Sequence, residues 1–81
     1  MASVQIKYYA MLKERTGKKE ESMELQPGET GGQLYERLRS LYDFPLAPEE
    51  LRLAVNESFV PMNVPLQDRD LVVFIPPVAG G

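Results

Sequence analysis

The stretch DLVVFIPPVAGG, residues 70–81, decides how the rest of the chain is read. Leu71 to Ile75 is the most hydrophobic run in the sequence, and it is apolar at successive positions. Successive residues of a strand point to opposite faces, so such a run lies inside a sheet, covered above and below or by a partner. The second half changes character. Pro76 and Pro77 hold the chain extended and stop the strand from running on. Val78 and Ala79 are small, and Gly80 and Gly81 can pass where any Cβ would block. No charged side chain follows Asp70, which leaves the terminal carboxylate as the only charge at this end. A segment of this kind is shaped to be threaded into a channel with Gly81 leading. A frayed end without a role has the same composition, so the choice depends on the rest of the chain.

Eighty-one residues make one domain with a small core; a chain of this size buries roughly 60% of its extended surface on folding. The net charge of −3 argues against nucleic acid as a partner, since phosphates call for a basic stripe. There is no cysteine, hence no disulfide framework, no thiolate metal site and no thiol nucleophile. There is no histidine, which removes the commonest general base and metal ligand and rules out a Ser-His-Asp triad. The opening residues MASVQIKYYA lack the apolar core of a signal peptide, and no stretch is long and apolar enough to span a bilayer. A cytoplasmic protein without a membrane partner is the expectation. These features favour a binding or carrier module over an enzyme.

Working back along the chain, SVQIKYYA alternates, with Val4, Ile6 and Tyr8 on one face and Gln5, Lys7 and Tyr9 on the other. MLKERTGKK reads as one short helical turn or loop closed by Gly17. A second strand falls around Ser22 to Leu25, with Met23 and Leu25 inward, and ends at Pro27-Gly28. The two strands form an antiparallel hairpin. Thr30 is placed to cap the one main helix, in which Leu34, Leu38, Leu41 and Tyr42 recur at helical spacing. Arg37 and Arg39 fall on its solvent side. Gly31-Gly32 is an awkward helix start, and local tolerance is the expected explanation. Pro45 and Pro48 end the helix. LRLAVNESFV predicts two strands around a tight turn at Asn56-Glu57, and Gln67 to Asp70 form the turn before the last strand. The order is β-β-α-β-β-β, and one helix packed across one sheet is the economical α+β solution.

The pieces YYAMLKE, LAVNESFV and PLQDRDLVVFIPPVAGG together resemble, nearly end to end, the small subunit of molybdopterin synthase. That family consists of sulfur carriers with the ubiquitin-like β-grasp fold. The last piece is the specific one, because the family ends on a strand, Pro-Pro-Val and Gly-Gly in this order. The resemblance implies a mixed sheet of about five strands, one main helix across it and a flexible Gly-Gly tail. Residues 1–75 then form the β-grasp domain and 76–81 the extended tail. Two features depart from the family. Its turn before the last strand is commonly Asp-Gly-Asp where this chain has Asp68-Arg69-Asp70, which suggests a different turn geometry or strain at Arg69. The Gly31-Gly32 helix start is also untypical.

The chemistry that the resemblance implies needs no acid–base group or metal on this chain. A partner enzyme uses ATP to adenylate the Gly81 carboxylate and then converts it to a thiocarboxylate. The charged carrier docks on the large catalytic subunit of the synthase and delivers sulfur to cyclic pyranopterin monophosphate. Two carriers are spent per molybdopterin, and the family's synthase is a heterotetramer. The carrier binds no cofactor itself, and the nucleotide belongs to the activating enzyme. Pro76, Pro77, Val78, Ala79 and Gly80 make the threaded arm behind Gly81. Tyr9, Phe59 and Ile75 match positions the family uses at its interface, while Val72, Phe74 and Leu38 read as core. Lys13, Glu14 and Arg15 read as a solvated face beside that interface. Asp68, Asp70 and Glu57 match no ligand spacing and read as turn formers. The alternatives that share the fold are a carrier for thiamin or tRNA thiolation, a ubiquitin-like protein modifier, and an interaction domain with an inert terminus.

Overall fold

A computed structural model describes residues 1–77, so the tail residues Val78, Ala79, Gly80 and Gly81 lie outside the described residues. The chain runs β1 (Ser3–Lys7), α1 (Ala10–Thr16), β2 (Glu20–Glu24), α2 (Gly31–Tyr42), β3 (Arg52–Val55), β4 (Ser58–Val60) and β5 (Leu71–Ile75), with a 3-10 turn at Pro48–Glu50. The five strands form one mixed sheet in the order β2-β1-β5-β3-β4. β5 is central, as its unbroken apolar run requires. It lies parallel to β1 and antiparallel to β3, and the outer pairs β1–β2 and β3–β4 are antiparallel. Helix α2 covers one face. Val4, Ile6, Val72 and Phe74 from the sheet meet Leu34 and Leu38 from the helix in one buried cluster.

The main helix starts where its capping chemistry places it. Thr30 Oγ1 accepts from the Gln33 amide, and Gln33 Oε1 accepts from the Thr30 amide, a reciprocal pair that satisfies two free donors. Of the glycine pair after Thr30, Gly31 is a requirement rather than tolerance. A Cβ on Gly31 would overlap the Leu53 Cδ2 methyl, and Leu53 is buried in the sheet. The Gly31 and Gly32 amides donate to Val64 O (3.2 Å) and Met62 O (2.8 Å), so the first turn is stitched to the segment before β5.

Two helical positions differ from the periodic reading. Leu41 is 63% exposed, because the last turn gives its inward place to Tyr42. The Tyr42 ring stacks on Phe44 at 5.7 Å and meets Tyr8 edge-on at 6.2 Å. Tyr35, between the leucines, is fully buried and donates its hydroxyl to Leu46 O. Arg37 is not a free solvent-side cation. Its guanidinium grips Glu29 through two bonds of 2.7 and 2.9 Å and also reaches Glu24 O. Glu29, only 4% exposed, is the buried charge that this pairing makes tolerable.

The residues after β1 form a two-turn helix rather than a single turn or loop. Only Leu12 of α1 is buried, which is why no periodic signal marks it. Gly17, left-handed at φ +72°, closes it by donating to Lys13 O. β2 begins two residues earlier than its pattern suggests, but Met23 and Leu25 keep their inward places. Asn56 and Glu57 both have positive φ, the pattern that suits a two-residue hairpin between twisted strands. Arg69 sits at φ +70° in the turn that the Asp70 amide closes onto Gln67 O. The positive φ that glycine adopts freely is imposed on an arginine there, so the departure is local strain.

Candidate functional site

The face of the sheet turned away from α2 is open, and strand register determines what lies on it. Lys7 pairs with Val73, Val73 with Ala54, and Ala54 with Phe59, so these four form one row across four strands. Ile75 pairs with Arg52 in the next row. Two residues beyond the Lys7–Val73 pair, Tyr9 stands level with Ile75; its extended backbone (φ −131°, ψ 154°) continues the alternation of β1. Tyr9 is 51% exposed and Phe59 65% exposed, while Ile75 is half-buried between neighbouring strands. The three residues singled out from sequence therefore share one face. Of the tail, Pro76 is half-buried and Pro77 exposed, directly after Ile75 at the edge of that face.

Several contributors were missed by the sequence reading. Arg52 places its guanidinium 5.5 Å from the Phe59 ring centroid, a distance suited to a cation–π contact. Leu71 and Val73 line the face with Ile75, a consequence of period-2 alternation that could have been counted back from Ile75. Ala10, at φ +52°, turns the chain sharply after Tyr9. A positive φ at a non-glycine residue beside a candidate contact residue is a position of local strain, and nothing in the composition signals it.

The ionisable groups with shifted equilibria lie behind this face rather than on it. Tyr8 donates to Glu21 Oε2, and Tyr42 donates to the same oxygen at 2.7 Å. Lys18 Nζ donates to Glu21 Oε1 at 3.2 Å and to Tyr42 Oη at 2.9 Å. Burial works to raise the Glu21 pKa, but the bonds from Tyr8, Tyr42 and Lys18 outweigh it and hold the carboxyl below its ordinary range. Burial, then the adjacent Glu21 carboxylate, pushes the Tyr8 phenol up. Burial also pushes Tyr35 up, to about 12. These groups knit β1, β2 and α2 together. The carboxylates near β5 act in turns: Asp68 accepts from the Ser3 amide, and Asp70 accepts from the Gln67 amide and from Asn56 Nδ2. On the open face the chemistry available is apolar contact at the centre, positive charge from Lys7 and Arg52, and the carboxylates of Glu20 and Glu24 along the β2 edge.

Comparison with known proteins places this geometry among relatives. The ThiS family matches residues 6–81. Over the whole of both chains, the sequence is 32% identical to the molybdopterin synthase sulfur carrier subunit of Mycobacterium tuberculosis. A solved structure from Pyrococcus furiosus, assigned as molybdopterin converting factor subunit 1, superposes with a TM-score of 0.80 at 26% identity, over 96% of this chain and all of that one. The fold is also that of the ubiquitin of Caldiarchaeum subterraneum, with a TM-score of 0.67 at 19% identity over 98–99% of this chain and its counterpart.

Proposed function

The chain belongs to the ThiS family, and from that premise we propose that it is the sulfur-carrying small subunit of a molybdopterin synthase. The observation that carries the reading is the 32% identity, end to end, to a protein named as that subunit. The geometry supports it. β5 delivers the chain to Ile75 at the rim of an open apolar face, and a proline pair then leads toward Gly81.

In this reading the Gly81 carboxylate attacks the α-phosphorus of ATP on an activating enzyme, and pyrophosphate leaves. The resulting acyl-adenylate is open to attack by a persulfide sulfur, which displaces AMP. Cleavage of the sulfur–sulfur bond by a thiol leaves the thiocarboxylate. The carrier then docks its open face on the large synthase subunit, where the thiocarboxylate sulfur bonds to a carbon of the cyclic pyranopterin monophosphate as that carbon's bond to oxygen breaks. Water then cleaves the thioester, leaving the sulfur on the pterin and returning the Gly81 carboxylate. Acid–base groups and the nucleotide site belong to the partners, which accounts for a carrier built without histidine or cysteine.

Intact-mass measurement of the untagged chain, incubated with its activating enzyme, ATP and a sulfur source, tests the reading. Replacement of one oxygen by sulfur at the C-terminus is expected. Lysine conjugates would instead identify a protein modifier, and an unchanged mass would leave an interaction domain. Deletion of Gly81 is expected to abolish sulfur transfer while leaving the thermal unfolding transition in place. Molybdopterin synthesis by the truncated chain would overturn the assignment.

A further inference from the structure

The cations of this chain are distributed unevenly. Four of the nine make ion pairs: Lys18 with Glu21, Arg37 with Glu29, Arg39 with Glu36 and Arg69 with Asp68. Of the other five, Lys7, Lys13 and Lys19 line one hollow with Tyr9, and Arg52 stands opposite Ile75. Arg15 is on α1 with Lys13. None of these five forms an ion pair among the described residues. Two acids stand among these cations: Glu14, between Lys13 and Arg15 on α1, and Glu20, which lines the same hollow opposite Lys7 and accepts a hydrogen bond from Gln5.

The opposite end of the same strands is acidic. Glu24 closes β2 there, Glu57 lies in the β3–β4 turn, and Asp68 and Asp70 precede β5. Asp43, Glu49 and Glu50 belong to the layer of α2 and the 3-10 turn packed on it; Glu49 and Glu50 lie just before Arg52, behind the cationic end on the helix side of the sheet. A chain of net charge −3 thus gathers its unpaired cations at the end of the sheet where β5 stops and the tail begins.

We propose that this end is recognised by a protein surface that is apolar at its centre and acidic at its rim, so that opposite charge draws the carrier in tail end first. The proposal rests on the open face being the carrier's docking surface. Cations and apolar side chains alternate here, and that decides the class of partner. A polyanion would meet the lysines but leave Tyr9, Phe59, Val73 and Ile75 in water, and it would repel the rest of an acidic molecule. A purely apolar surface would strip water from the ammonium groups without replacing it. Because the lysines stand at the rim, they act on the rate of encounter more than on the lifetime of the complex.

Stopped-flow association of the full carrier chain with the large synthase subunit of the same organism provides the test. The association rate should fall at least about tenfold between roughly 50 and 500 mM sodium chloride as screening sets in. Lys7→Glu, Lys13→Glu and Lys19→Glu should each slow low-salt association by about three- to tenfold, with dissociation little changed. Arg69→Glu makes the same change in net charge at the far end and should alter the rate less than about twofold. Circular dichroism of each variant checks that the fold is retained. A complex that forms at a salt-independent rate, with the lysine variants indistinguishable from Arg69→Glu, overturns the proposal and leaves the carrier assignment standing. Absence of any complex overturns the proposal and the docking face together, while the intact-mass result judges the carrier chemistry separately. Tighter binding to a labelled oligonucleotide than to the large subunit also overturns it.

Discussion

Gly31 and Arg69 are opposite cases of one backbone rule. Gly31 has ordinary helical geometry, and it is glycine because Leu53 occupies the space of its missing Cβ. Arg69 has open surroundings, with its side chain 92% exposed, but a backbone angle that suits glycine. The two substitutions should therefore move stability in opposite directions. Gly31→Ala forces Leu53 from its buried position, and overpacking outweighs the better helix propensity of alanine, for a net loss of about 1–2 kcal/mol. Arg69→Gly relieves the left-handed strain but frees the unfolded chain, for a net gain of about 0.5–1 kcal/mol. Urea denaturation of both variants against the parent chain measures the two signs. The strain at Arg69 was legible as a non-glycine residue in a turn; the need for Gly31 was not, because its cause is a residue 22 positions away in the sequence.

At the scale of elements, two polar anchors hold the helix to the strands. Arg37 ties α2 to Glu29 and to the end of β2, and Glu21 of β2 gathers Tyr8 from the end of β1, Tyr42 from α2 and Lys18 from the preceding loop. Because the folded state lowers the Glu21 pKa, its contribution is fully present above the ordinary carboxylate value and is lost as pH falls through the lowered one. Glu21→Gln should cost about 1.5–3 kcal/mol near neutral pH, the range for bonds to a charged acceptor. The gap to the parent chain should narrow at an acidic pH below the lowered Glu21 pKa, where the parent carboxyl also becomes protonated. Chemical denaturation at the two pH values checks it, and a gap that does not change would show that the ionised form is not the one these bonds stabilise. The helix itself was visible through Thr30, Leu34 and Leu38. Its anchors were not, since a glutamate in a strand and an arginine on a helix look solvent-facing until the elements meet.

For the whole molecule, the sheet divides the work. One face packs against α2 and holds the core, and the other presents Tyr9, Phe59 and Ile75 beside the start of the tail. Phe59 is two-thirds exposed, so Phe59→Ala should lower folding stability by less than about 1 kcal/mol. On the proposed reading Phe59 is an aromatic anchor of the docking face, and its loss should then weaken binding to the large synthase subunit by at least about tenfold. Calorimetry on the variant and the parent separates the two effects, and unchanged affinity would remove Phe59 from the interface. The sequence by itself determined the order of the strands and the main helix, the central place of β5, the Thr30 cap, the turns at Asn56 and Asp70, and the small, uncharged composition of the tail. Each of these is local: it follows from period-2 alternation, helical spacing, capping chemistry or the backbone freedom of glycine and proline within a few residues. Only the tertiary structure decided that Leu41 faces out, that Arg37 is paired, that Gly31 must lack a side chain, and that cations collect where β5 ends. Those outcomes depend on the register between strands separated by tens of residues, and no local pattern encodes which distant side chains will share a face.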